Sequence, residues 1–149
     1  GLSVDGVDDH KGWKADIEQF SGSKAGFPII ADNDLAVSKM FDMLPADAYM
    51  PDGRTAADSA SVRSVFIISP DKKLQLSMTY PMSVGRNFAE ILRALTALQK
   101  TFGQPIATPA NWAEGQDVII AMTLNDDAAK AKFGDFDAKL PYLRTTSNA

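Results

Sequence analysis

Two arginines carry the strongest chemical signal in the sequence. Arg63 sits at the start of an otherwise apolar stretch, residues 62–68, VRSVFII. A guanidinium there has to find anions or hydrogen-bond acceptors, or stay near the surface. Arg86 follows Gly85 at the opening of a helical pattern, where a cation meets the positive end of the helix dipole and is mildly disfavoured. The plain readings stay open beside these: a strand-end arginine in water, and ordinary charge at a helix start. Asp71 lies in Ser69-Pro70-Asp71-Lys72-Lys73, where an Asp is at home and the lysine pair reads as a solvated turn. His10 is the sole histidine, which excludes a site built from two. We expect it near a helix N-terminus with local hydrogen bonds rather than in catalysis. Cysteine is absent, which excludes disulfides, thiolate chemistry and Cys-ligated zinc within this chain. No loop has the ligand spacing for a hard cation. Met40, Met43, Met50, Met78, Met82 and Met122 form no compact cluster and read as core and loop filling.

The elements that must position these residues follow from periodicity. Leu2-Ser3-Val4 reads as the tail of a strand, and Asp8 or Asp9 as the cap of a helix whose apolar face is Trp13, Ile17 and Phe20. Ser21-Gly22-Ser23 ends it. Phe27-Pro28-Ile29-Ile30 reads as a short buried strand, with Pro28 confined to a strand start or edge. Asp32 or Asn33 starts a second helix with a stripe of Val37, Met40, Phe41 and Leu44, stopped by Pro45. Residues 45–60 read as a long loop, of the kind that is often functional. Residues 62–68 and 74–80 form a β-hairpin. A third helix, about 87–102, opens on an Asn87/Glu90 capping box and buries Phe88, Ile91, Leu92, Leu95 and Leu98. Residues 103–116 read as a linker or arm, 117–123 as a strand, 125–133 as a helix capped by Asn125, and 140–149 as extended. The boundaries expected are 1–102 for an α/β domain and 103–149 for a small α+β domain unable to hold a core unaided.

Composition bounds the rest. The 149 residues, 45% apolar, suit one domain or a domain with a small appendage. A net charge of -4, with scattered Lys and Arg, argues against nucleic acid as a partner. No apolar run approaches the roughly 18 residues of a membrane span. The opening Gly1-Leu2-Ser3-Val4-Asp5 is too short and polar for a signal peptide, so a cytoplasmic location is expected. A start without Met, directly in strand-like residues, suggests a clipped or engineered piece.

Several of these segments together resemble the one-cysteine peroxiredoxins, the branch of the AhpC/TSA superfamily with an added C-terminal domain. They are Ser3-Val4-Asp5 with Asp9-His10 and Trp13; Phe27 to Ile30; Arg63 to Lys73; Tyr80-Pro81 with Gly85 to Phe88; Glu90 to Arg93; and Ala107-Thr108-Pro109 with Trp112. The resemblance implies a partial thioredoxin-like domain, 1–102, followed by a C-terminal dimerisation domain, 103–149. It implies a peroxidase that reduces hydrogen peroxide and alkyl hydroperoxides through a Cys thiolate/sulfenate cycle, with an external thiol as reductant. It places Arg63 against the peroxidatic cysteine and Arg86 in the supporting network, and implies a homodimer with no metal or organic cofactor. The family's cysteine lies before this chain begins, so the chain alone is expected to be inactive. Two other readings stand: a non-catalytic dimerisation or holdase-like body, and a lipid hydrolase whose acid is Asp71 and whose Ser and His lie upstream.

Overall fold

Gly6, not Asp8 or Asp9, opens the first helix, α1 (Val7–Ser21). Asp9 still serves the cap, because its carboxylate accepts the Gly6 N–H at 3.1 Å. The helix ends where Gly22 adopts φ 71°, a left-handed conformation that suits glycine, and donates its N–H to the Glu18 carbonyl at 2.9 Å. The structure, a computed structural model, describes residues 1–45, 48, 52, 55, 56 and 58–149. The chain divides into two compact units, Gly1–Arg86 and Asn87–Ala149.

In the first unit β1 (Leu2–Ser3) pairs in parallel with β2 (Ile30–Ala31), Leu2 opposite Ile30; the strand starts only at the end of the expected 27–30 run, and Phe27 and Ile30 are exposed rather than buried. The apolar face expected on α1 is not buried: Trp13 is 51% and Phe20 94% exposed, with Ile17 half-buried. Helix α2 (Ala36–Met40) is shorter than its pattern suggests. Ser38 is its buried residue, with Leu35 before the helix and Met43 after it also buried, while Met40 faces solvent. Asp32 caps it from four residues ahead, its carboxylate accepting the N–H groups of Val37 at 2.9 Å and Ser38 at 2.6 Å. Much of the expected loop 45–60, including Met50, lies outside the described residues. The hairpin forms as expected from β3 (Arg63–Ile68) and β4 (Leu74–Tyr80), antiparallel with Arg63 opposite Tyr80 and Val65 opposite Met78. Phe66 of β3 meets Phe41 at 5.0 Å between ring centroids. Among the described residues the pairs β1–β2 and β3–β4 are separate two-stranded sheets.

The second unit starts with α3 (Phe88–Thr101), where Asn87 accepts the Glu90 N–H at 3.2 Å. Only half of the expected capping box forms, because the Glu90 carboxylate turns to Arg93. Phe88 and Leu92 are exposed, and Ala94 and Ala97 are the buried positions of this helix. The segment expected to be a linker instead contains β5 (Ile106–Ala107) and the buried Trp112. Strand β5 pairs with β6 (Val118–Ile120), which pairs with β8 (Leu143–Thr146), and β8 with β7 (Asp137–Leu140). Helix α4 (Asp126–Phe133) is capped by Asn125, which accepts the Ala128 N–H at 2.8 Å. Ala97, Ile106, Trp112, Val118, Ile120, Ala129 and Phe133 form one core. The C-terminal segment therefore holds a core once α3 contributes to it.

Candidate functional site

Strand alternation puts Arg63, Val65 and Ile67 on one face of the hairpin, opposite Tyr80, Met78 and Leu76. Arg63 is half-buried at the first position of β3. Its Nη1 donates to the Val84 carbonyl at 3.3 Å. That carbonyl is presented by a turn in which the Val84 N–H donates to Pro81 at 2.9 Å, so the chain leaving β4 folds back toward Arg63. Arg86 lies two residues further on and is exposed. The same short segment thus supports one arginine and carries the other.

The surroundings of the arginines differ. Arg93 makes two bonds to the Glu90 carboxylate, 2.6 and 2.8 Å, and a third to the Trp112 carbonyl at 3.3 Å. The Arg93 bond holds the Glu90 carboxyl below the usual carboxylate range, and the same bond raises Arg93. Arg144 is buried, pairs with Asp126 at 2.8 Å and donates to the carbonyls of Ala121 and Leu124. Among the described residues, neither Arg63 nor Arg86 pairs with a carboxylate. Among the described residues a single acceptor, the Val84 carbonyl, meets the Arg63 guanidinium, which leaves donors for an anionic or oxygen-rich ligand. The sequence pattern missed Arg144 because an extended 140–149 singles out no arginine; the Asp126 carboxylate and the carbonyls of Ala121 and Leu124, distant in sequence, gather around it.

Asp71 is engaged within its own turn. Ser69 Oγ donates to it at 2.5 Å and Lys73 Nζ lies 3.0 Å away. The Ser69 bond and then Lys73 hold its carboxyl below the ordinary value. His10 is buried at the start of α1, with Nε2 2.7 Å from Ser3 Oγ. Ser3 gives its single proton to Asp5 at 2.7 Å, so Nε2 carries the hydrogen toward Ser3. These are the local bonds expected of it. Among the described residues no three His, Asp or Glu side chains gather to hold a metal. A cavity of about 250 Å³ in the second unit, lined by Thr96, Lys100, Trp112, Glu114, Gln116 and Thr146 among others, includes neither Arg63 nor Arg86.

Residues 1–77 match the model of the AhpC/TSA family, and residues 97–135 that of the C-terminal domain of 1-Cys peroxiredoxin. The chain is 44% identical to a mitochondrial peroxiredoxin of Saccharomyces cerevisiae over 99% of its own length and 56% of the relative. It is 44% identical to a 1-Cys peroxiredoxin of Dictyostelium discoideum, over 97% of this chain and 57% of that one. Peroxiredoxin-6 of Gallus gallus is 43% identical, with 97% and 67% covered. Among solved structures, peroxiredoxin 6 of Arenicola marina superposes with a TM-score of 0.88 at 38% identity, covering 99% of this chain and 69% of that one. The chain thus spans a little over half the length of the first two relatives. Among the described residues no helix is long and apolar enough to cross a membrane.

Proposed function

Because the chain belongs to the AhpC/TSA family and carries the C-terminal domain of the 1-Cys peroxiredoxins, we propose that it is the arginine-bearing part of a thiol-dependent peroxidase. The reaction needs a cysteine thiolate, which these 149 residues do not contain. The thiolate attacks the outer oxygen of hydrogen peroxide or an alkyl hydroperoxide. The O–O bond breaks, the leaving hydroxide or alkoxide takes a proton from solvent to become water or an alcohol, and the sulfur is left as a sulfenic acid that an external thiol reduces. Arg63 is the catalytic residue of this reading. A guanidinium beside the sulfur favours thiolate over thiol, and its N–H groups stabilise charge developing on the peroxide oxygens. Arg86 is the supporting cation.

The observation that carries the reading is that Arg63, among the described residues, has no carboxylate partner. It stands at the mouth of an apolar strand with one carbonyl partner and, among the described residues, no carboxylate. Arginines that only stabilise a fold look like Arg93 and Arg144, which are bound to carboxylates. Asp71 enters as a turn residue, since Ser69 and Lys73 account for its carboxylate. A homodimer is part of the proposal, with residues 103–149 as dimerisation domain after a thioredoxin-like 1–102; the exposed apolar side chains of both units support it.

The test joins this chain to the segment of the Dictyostelium relative that precedes their match. The joined protein is expected to consume hydrogen peroxide with dithiothreitol. Arg63→Ala should raise the thiol pKa and slow the peroxide step by about 10²-fold or more. An unchanged rate and an unchanged thiol pKa would remove Arg63 from the site.

A further inference from the structure

We infer that Asp32 is a positioning residue for Arg63, acting through a relay of backbone hydrogen bonds that starts at its buried carboxylate and ends at Val62. The functional meaning of this link rests on the Arg63 reading above; the link itself is geometric.

Asp32 is 2% exposed. Oδ1 accepts the Val37 N–H at 2.9 Å and Oδ2 the Ser38 N–H at 2.6 Å, short bonds to a charged acceptor. The Asp32 carbonyl accepts the Leu35 N–H at 3.0 Å. Leu35 is buried and sits at φ 61°, a conformation a branched side chain keeps only when its surroundings impose it. The carboxylate bonds on one side and the burial of Leu35 on the other supply that constraint.

The relay continues from Ser38, itself fully buried. Its carbonyl accepts the Met43 N–H at 2.8 Å. The Met43 carbonyl accepts the Val62 N–H at 2.7 Å, which joins the end of the α2 region to the residue before Arg63. The Val62 carbonyl then accepts the Ser64 N–H at 3.0 Å. Arg63 is therefore held from two directions. Tyr80 of β4 stands across from it, and Met43 pins its N-terminal neighbour. Ser38 and Met43 are buried, so water cannot readily replace a broken bond in this relay. Losing the carboxylate should loosen α2, then Met43, then the base from which the guanidinium projects.

A residue that merely caps α2 would leave Val62 untouched, and this separates the two roles. Asp32→Asn keeps the size of the side chain but turns an N–H donor toward a backbone N–H. In the 149-residue chain, hydrogen exchange followed by NMR is expected to show Val37, Ser38, Met43 and Val62 amides opening about tenfold faster or more. The β3–β4 ladder amides should change by less than about twofold. The Arg63 Nε–Hε resonance should move while that of Arg144, in the other unit, stays. Faster Val37 and Ser38 with an unchanged Val62 would reduce Asp32 to a cap. A uniform acceleration that includes the ladder would make it a general stabiliser. Either overturns the inference. Should the variant not fold, exchange of the unaltered chain in graded denaturant decides. One shared opening free energy for the four relay amides is expected, and four separate values overturn it. These readouts need no peroxide chemistry, so their failure leaves the Arg63 reading standing, and the joined-protein assay tests that reading alone.

Discussion

Asp32 and Arg144 are buried charges whose worth can be measured at the scale of one side chain. Burial pushes the Asp32 carboxyl up, but hydrogen bonding to its two oxygens, from the N–H groups of Val37 and Ser38, outweighs it and holds the group below the ordinary value of 3.8. A carboxyl depressed in the folded state adds stability that is complete above the unfolded value and fades as pH falls through the folded one. Thermal melts should therefore show the gap between the unaltered chain and Asp32→Asn at its widest near pH 7, closing as the pH is taken well below 3.8. A gap of the same size at both ends would mean that ionisation of Asp32 contributes nothing. Arg144→Met removes the bond to Asp126 and leaves the carbonyls of Ala121 and Leu124 without their donor. Because Asp126 is largely exposed and can return to water, the expected cost is about 2–3 kcal/mol rather than the larger penalty of a stranded buried charge. Denaturant unfolding of the second unit measures it, and a loss below about 0.5 kcal/mol would show that the burial of Arg144 carries no weight.

At the scale of elements, what the sequence made legible was whatever local chemistry decides. Residues 69–73 encode a turn between an apolar run and the alternating run 74–80, so the hairpin falls close to where the pattern puts it. Asn125 and Asn87 cap the helices they precede. The errors lie where packing decides. Trp13, Ile17 and Phe20 share a helical face, yet Trp13 and Phe20 stand exposed and only Ile17 is half-buried. The run 103–116, rich in Pro and Gly, reads as a connector, but β5 pairs with β6 and the Trp112 indole N–H donates to the Gln116 carbonyl at 2.9 Å. Of the candidate site, the types and places of Arg63 and Arg86 were legible; their lack of carboxylate partners among the described residues was not, because ion pairing depends on neighbours distant in sequence. Trp112 gives the element-scale prediction. Trp112→Ala should cost about 3–5 kcal/mol and unfold the second unit at ambient temperature or leave it close to doing so, read by loss of the β6–β8 amide protection.

For the whole molecule, the exposed apolar residues are the governing feature. Trp13, Phe20, Phe27, Ile30, Ile68 and Leu74 in the first unit all face solvent. Two-stranded sheets also leave unpaired edges. At roughly 25 cal/mol per Å², several hundred Å² of apolar surface in water outweighs much of the 5–15 kcal/mol that stabilises an ordinary domain. Sedimentation at micromolar concentration is expected to show self-association, and a single monomeric species with a sharp cooperative melt would refute it. With glutathione or dithiothreitol the chain alone should consume no peroxide above buffer, since it has no cysteine. The two tryptophans fall one to each unit, Trp13 half in water and Trp112 2% exposed in the core. Each unit thus contains its own fluorophore. Emission from Trp13 should be red-shifted and quenched by iodide, and that from Trp112 blue-shifted and shielded. Any partner that settles on α1 will change the first signal and leave the second alone, so one emission spectrum reports both where binding occurs and whether the C-terminal core has stayed intact.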